Sequence, residues 1–296
     1  MTDDASTKIP SLYQFSYPLV HVGNGAGPAG WYDLNGNFAR QGYLVPDVRG
    51  ALALVTGATG TAEFTHVPQF VSPLDGVVIT ATGAVADSGD ATLKLRLEFR
   101  GPSGQQIREA LADQPASSLP QIYQQMALSN YPNASATGGE VANLTDKSRP
   151  LVITVDATVP GFVHNDGGTA WDIEHLASPT GLLQRYAPLP FRTHPLQISG
   201  GSFEQTQVAV TLPARFAGVE LPPDAHINNA FGSFSASYAD HGGKIVFDRS
   251  MELKPNLIPP NQYDAFRNFG ESVDNQDRLR ITGTVAAAAA APAASR

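Results

Sequence analysis

The residues best suited to chemistry are used sparingly in this chain. Its seven histidines are His21, His66, His164, His175, His194, His226 and His241. None stands three to five residues from another, so no local pair has metal-ligand spacing. Cysteine is absent from all 296 residues, which removes thiolate nucleophiles, disulfides, iron–sulfur clusters and Cys-based zinc sites. The patterns G-x-x-x-x-G-K-[ST], H-E-x-x-H and G-x-S-x-G do not occur. Val55-Thr56-Gly57-Ala58-Thr59-Gly60 is glycine-rich, but Ala62 to Pro68 reads as extended chain where a phosphate loop needs a helix N-terminus. No cofactor is expected.

Polar clusters offer weaker candidates. His164-Asn165-Asp166, followed by two glycines, has the composition of an exposed turn, with a metal or catalytic site as the alternative. Trp171-Asp172 provides either a core tryptophan or a ring for stacking on a sugar. Arg249 and Arg278 have carboxylates within reach, and are read as surface ion pairs worth about 0–1 kcal/mol. Asn133-Ala134-Ser135 and Asn143-Leu144-Thr145 match the glycosylation pattern, which matters only on a eukaryotic secretory route.

The elements that must position these residues are mostly strands. Charged residues make up 16% and hydrophobic ones 42%, with 28 Gly and 23 Pro, a turn-rich composition that excludes both a disordered chain and a long-helix protein. The formal net charge of −8 argues against a nucleic-acid partner. No apolar run approaches the roughly 18 residues of a membrane span, and the acidic, polar start at Met1 to Ser6 is unlike a signal peptide.

In Ala91–Arg100, Leu93, Leu95, Leu97 and Phe99 alternate with Lys94, Arg96, Glu98 and Arg100, so the four apolar residues are expected inside and Lys94, Arg96 and Glu98 outside. Residues 76–85 pair with this strand through the Asp87-Ser88-Gly89-Asp90 turn. Further strands are expected at 51–55, 151–159, 207–212, 231–238 and 244–253, and helices at 105–111, 118–130 and 261–273. The expected fold is mainly β: a predominantly antiparallel β-sandwich over 67–285 with a few short helices, preceded by strands over 1–66 and followed by a disordered Ala-rich tail over 286–296.

Two segments resemble a known family. Pro10 to Val22, containing Phe15-Ser16-Tyr17, is followed by Trp31-Tyr32-Asp33, Gly42-Tyr43-Leu44-Val45-Pro46 and Gly50-Ala51-Leu52-Ala53-Leu54-Val55. The order is similar to the Phe-x-His, Trp-x-Asp and following motifs that end a bacterial transglutaminase-like (papain-type) core. Arg249 to Lys254, then Ile258-Pro259-Pro260, Tyr263, Phe266-Arg267 and Phe269, resemble the close of the β-rich domain of unknown function that follows that core. Pro150-Leu151, Arg192 and Pro195-Leu196 fit the same domain.

The resemblance implies a Cys–His–Asp triad, in which a His base deprotonates the Cys and the Asp orients the His. Here no Cys exists, Tyr17 stands at the His position and only Asp33 remains. A tyrosine with an ordinary pKa near 10 is a poor base at neutral pH, and His21 lies roughly 13 Å further along the strand. An antiparallel register placing Tyr17 opposite Asp33 and Leu19 opposite Trp31 lets the phenol donate to the carboxylate; alternatively, Asp33 caps the turn at Leu34-Asn35-Gly36.

Three functions follow. One is a non-catalytic β-sandwich structural or interaction module, with a protein partner covering residues 1–50 because Leu19 and Trp31 would otherwise be exposed. Another is half of a split transglutaminase- or amidase-type enzyme completed by another chain. The last is a glycan- or cell-envelope-binding module using Trp171, Tyr186 and Phe191. Membership of a longer exported protein would place it in the periplasm or cell envelope.

Overall fold

A computed structural model of the chain describes residues 15, 17–23, 30–35, 44–45, 48–57, 60–68, 75–198 and 200–286. Gly36, Gly42, Tyr43, Pro46 and all of the Ala-rich tail after Ala286 lie outside the described residues.

Near the start, β1 (Val20–His21) pairs with β2 (Trp31–Tyr32), and β3 (Leu52–Thr56) pairs with β4 (Ala62–His66), both antiparallel. The hairpin of β5 (Gly76–Val85) and β6 (Ala91–Arg100) follows, with the predicted boundaries. Next come α1 (Gly101–Ala112), α2 (Leu119–Asn130), β7 (Ser135–Ala142), β8 (Leu151–Val159), β9 (Ala170–Ile173) and α3 (Leu182–Tyr186). The remaining elements are β10 (Leu196–Ile198), β11 (Ser202–Thr211), β12 (Phe216–Glu220), β13 (Ala225–Asn228), β14 (Gly232–Asp240), β15 (Lys244–Leu253), β16 (Asn256–Ile258), α4 (Tyr263–Gln276) and β17 (Ile281–Val285). The protein is mainly β with few short helices.

The largest sheet has eight strands in the order β13-β14-β15-β11-β5-β6-β8-β7. Every pair in it is antiparallel except the central β5–β11 pair, which is parallel from Val77 beside Glu204 to Ala84 beside Thr211. The sheet is thus predominantly antiparallel, as expected, with this one parallel seam. The seam joins two strands more than 100 residues apart in sequence, beyond what local turn signals specify. A three-stranded sheet, β12-β17-β9, shares the main core with it: Trp171, Ile173, Phe216 and Ile281 belong to the same buried cluster as Leu93, Leu95 and Ile153.

On β6 the alternation is realised: Leu93, Leu95, Leu97 and Phe99 are buried, while Lys94 and Arg96 are exposed. Glu98, expected outside, is half-buried instead. Arg96 and Arg100 reach it from either side at 2.8 and 2.6 Å and cover it.

Helix α4 is amphipathic, burying Tyr263, Phe266, Phe269, Gly270 and Val273 at helical spacing. A 3-10 turn over Pro260–Gln262 starts it, consistent with proline's preset φ. Opposite, Gly283 on β17 lies under the Trp171 ring, which any Cβ there would overlap. The indole N–H donates to the carbonyls of Ala217 and Thr284 at 3.1 and 3.0 Å, tying β9 to its neighbour β17 and, beyond it, to β12.

A second, separate cluster gathers Trp31, Leu44, Val48 and Val67, with Tyr17, Leu19, Val45, Ala53 and Val55 against it. Trp31 is therefore buried and Leu19 half-buried, contrary to their expected exposure. Among the described residues of this segment, the large apolar side chains left in solvent are Val20, Val22, Leu34 and Phe64.

Leu95 is fully buried at the centre of the larger cluster. Leu95→Ala is expected to lower unfolding free energy by about 2–5 kcal/mol, and Lys94→Ala to change it by no more than about 0.5 kcal/mol. Urea denaturation followed by circular dichroism measures both.

Candidate functional site

Tyr17 and Asp33 meet, though through a strand register other than the expected one. The Tyr17 hydroxyl donates to Asp33 Oδ2 at 2.7 Å. The other carboxylate oxygen accepts from the Asn35 backbone N–H at 3.0 Å and from its side-chain amide at 2.9 Å. The cross-strand contact and the turn cap, two alternatives by sequence, therefore coexist on one buried carboxyl group. Asn35 also donates to the Pro18 carbonyl at 2.8 Å, closing the turn on the incoming strand.

The expected register is corrected. The ladder pairs Val20 with Tyr32 and His21 with Trp31, two residues away from a register pairing Leu19 with Trp31. Continued, it sets Leu19 opposite Asp33 and Tyr17 opposite Asn35. Tyr17 reaches Asp33 diagonally, a separation long side chains span. His21 stacks on Trp31 with ring centroids 4.5 Å apart.

Electrostatics holds the phenol protonated. Burial, the hydrogen bond to Asp33 and the charge of Asp33 push the Tyr17 pKa up to about 12. Such a group donates a hydrogen bond and does not accept a proton at neutral pH.

A different constellation surrounds Arg249, which sequence reasoning assigned to a surface pair. It is buried on β15, its side chain 2% exposed, with Glu204 Oε1 at 2.6 Å and Asp277 Oδ1 at 2.8 Å. It donates further to the Ser178 carbonyl at 2.8 Å. A signal for this burial existed: Arg249 alternates in phase with Ile245, Phe247, Met251 and Leu253, all core residues. Arg278 is exposed and donates to Asn275 Oδ1 at 3.2 Å.

The histidine cluster has a definite shape. His164 exchanges two backbone hydrogen bonds with Asp172, 2.8 and 2.9 Å long, extending the sheet beyond β9. Its ring lies 3.2 Å from Asp166 and 3.5 Å from Asp172. Among the described residues no three His, Asp or Glu side chains are placed to hold a metal ion. Trp171 is buried, Tyr186 is half-buried under Arg185, and Phe191 is exposed. The three rings expected to stack on a glycan do not form a shared exposed platform, because Trp171 supplies core packing instead.

Comparison with known proteins adds one match. A family model described as a domain of unknown function with a solved structure, DUF3858, matches residues 180–282. The matched stretch runs from just before α3 into β17 and contains Arg192, Pro195-Leu196 and the segment from Arg249 to Phe269. No curated protein and no solved structure matches the chain.

Tyr17→Phe keeps the ring and deletes the donor. Loss of this partly buried bond is expected to cost about 1–3 kcal/mol, read as faster hydrogen exchange at Val20–His21 and Trp31–Tyr32 with β5 and β6 protection unchanged. Ultraviolet titration is expected to lose one tyrosine that ionises near pH 12 in the native protein. Since that value lies above the ordinary 10.0, the Tyr17 contribution to stability is intact below pH 10 and falls as pH rises toward 12.

Proposed function

We propose that this chain is a non-catalytic interaction module of a transglutaminase-like protein, with Tyr17 and Asp33 retained as a structural pair where the family has its base and orienting carboxylate. The observation that carries this reading is the 2.7 Å Tyr17–Asp33 bond combined with a phenol pKa of about 12. At pH 7 only about one phenol in 10⁵ is ionised. No cysteine anywhere in the chain supplies the nucleophile. The motif order through residues 10–55 supports the family reading, and the DUF3858 match supports the β-rich domain beyond it.

The interaction role rests on the exposed side chains of Val20, Val22, Leu34 and Phe64. They come from the same part of the chain as the small cluster of Trp31, Leu44, Val48 and Val67. A protein partner covering residues 1–50 would remove three of these four side chains from water, a favourable transfer of about 25 cal/mol per Å² of apolar surface.

The purified chain is expected to show no turnover of a glutamine side-chain amide or a peptide amide, with or without an added amine acceptor. Tyr17→His is expected to be equally inactive, since it restores a base but no nucleophile. Ammonia release above the buffer background by the native chain overturns the proposal.

A further inference from the structure

The loop between α3 and β10 turns its apolar side chains to water. From Pro188 to Pro195 every residue except half-buried Arg192 is exposed, including Leu189 at 51% and Phe191 at 71%. Among the described residues no other large apolar side chain is as exposed as Phe191. Leu257, paired with Gln197 in the two-stranded sheet that the loop enters, adds a third at 58%.

The loop is held in that form. The Leu189 carbonyl accepts from the Tyr263 hydroxyl at 2.8 Å and from Arg267 Nη1 at 2.5 Å. The Ala187 carbonyl accepts from the same guanidinium nitrogen at 2.8 Å. Pro188 fixes its own φ, and Pro190 steers Leu189 away from helical conformation. Ordering that a docking loop would otherwise lose on binding is already met by folding.

Its charge is of one sign. No Asp or Glu occurs from residue 175 to 203, in a chain of net charge −8, whereas Arg185, Arg192 and His194 all fall there. Arg185 lies over the Tyr186 ring at 5.2 Å and Arg192 over the Tyr263 ring at 5.8 Å, so their partners are rings and not carboxylates. The acids of α4 nearest in sequence to Arg267, Asp264 and Glu271, are exposed and pair with none of these cations among the described residues.

A run so uniformly exposed projects from the surface, which suits a partner that yields around inserted side chains. Apolar tips beside unpaired cations match the interface of an anionic bilayer, whose acyl boundary takes Leu and Phe and whose phosphates take Arg. We propose that this loop docks the protein peripherally on an anionic lipid bilayer, with Leu189 and Phe191 inserted and Arg185 and Arg192 at the headgroup phosphates. It uses no residue of the Tyr17–Asp33 segment, and the two proposals stand or fall independently.

The test is co-sedimentation of the full chain with vesicles of equal parts phosphatidylglycerol and phosphatidylcholine, against phosphatidylcholine alone. Sedimentation with the first and not the second is expected, weakening as salt is raised. Arg192→Gln is expected to weaken partitioning about fivefold and Phe191→Ser about tenfold. Lys94→Gln, which removes an exposed charge on β6, is expected to leave it unaltered, and thermal melts confirm that each variant folds. Trp31 and Trp171 are buried, so the added emission of a Phe191→Trp variant reports on the loop and is expected to shift to the blue on the anionic vesicles. No sedimentation at about 1 mM lipid, an unshifted emission, or a loss in Lys94→Gln equal to that in Arg192→Gln each overturns the proposal. Binding of soluble poly-glutamate with no response to vesicles assigns the cations to an acidic protein and overturns it as well.

Discussion

The buried guanidinium of Arg249 is the constraint around which the rest of the domain is arranged. Removing a cation from water costs several kcal/mol unless its donors are matched. Here Nη1 meets a carbonyl and a carboxylate, and Nη2 meets Glu204 and, at 3.4 Å, the Thr206 hydroxyl. Those acceptors come from β11, from α4's end and from the loop before α3. Satisfying one side chain therefore sets the position of three other parts of the chain. Asp277 is held in turn by the Thr180 N–H at 2.7 Å, and by its hydroxyl. One turn earlier, Asp274 accepts from the Leu182 and Leu183 N–H groups at 2.8 and 3.1 Å, neutralising the open start of α3. Asp274 on α4 and Asp277 just past its end thus fix that helix against both the sheet and its neighbouring helix.

Much of this was legible because strong alternation is a local property. The strands β6, β8 and β15 match their predicted boundaries, with alternation unbroken in the burial of β6 and β15 and running from Ile153 onward in β8. Helix α2 matches to within one residue, and α4 begins two residues late, after the 3-10 turn at its proline. The short strands β9, β10, β12, β16 and β17 were not legible. They run three to five residues, and their partners lie far away: β17 pairs with β9 across more than 100 positions. No periodicity over so few residues specifies a partner.

The candidate site was legible in composition but not in register. The motif resemblance singles out Tyr17 and Asp33 as a pair, and they are hydrogen-bonded. The two-residue shift arises in the Asn35 side chain, which bonds both Asp33 and the Pro18 carbonyl and so brings 35 rather than 33 opposite the tyrosine. Side-chain-to-backbone bonds of this kind compete with ladder pairing and leave no periodic trace.

The place of β17 also bears on how the protein is made. It is the middle strand of its sheet, yet it is the last described strand in the chain. During translation β9 and β12 emerge with no partner between them, and their inward-facing Trp171 and Phe216 stay uncovered on that side until residue 285 is available. At ribosomal speeds of about 5–20 residues per second, the wait after β12 is on the order of 3–13 s. Two strands with open edges persist through that interval, a period in which nascent chains are vulnerable to edge pairing with one another.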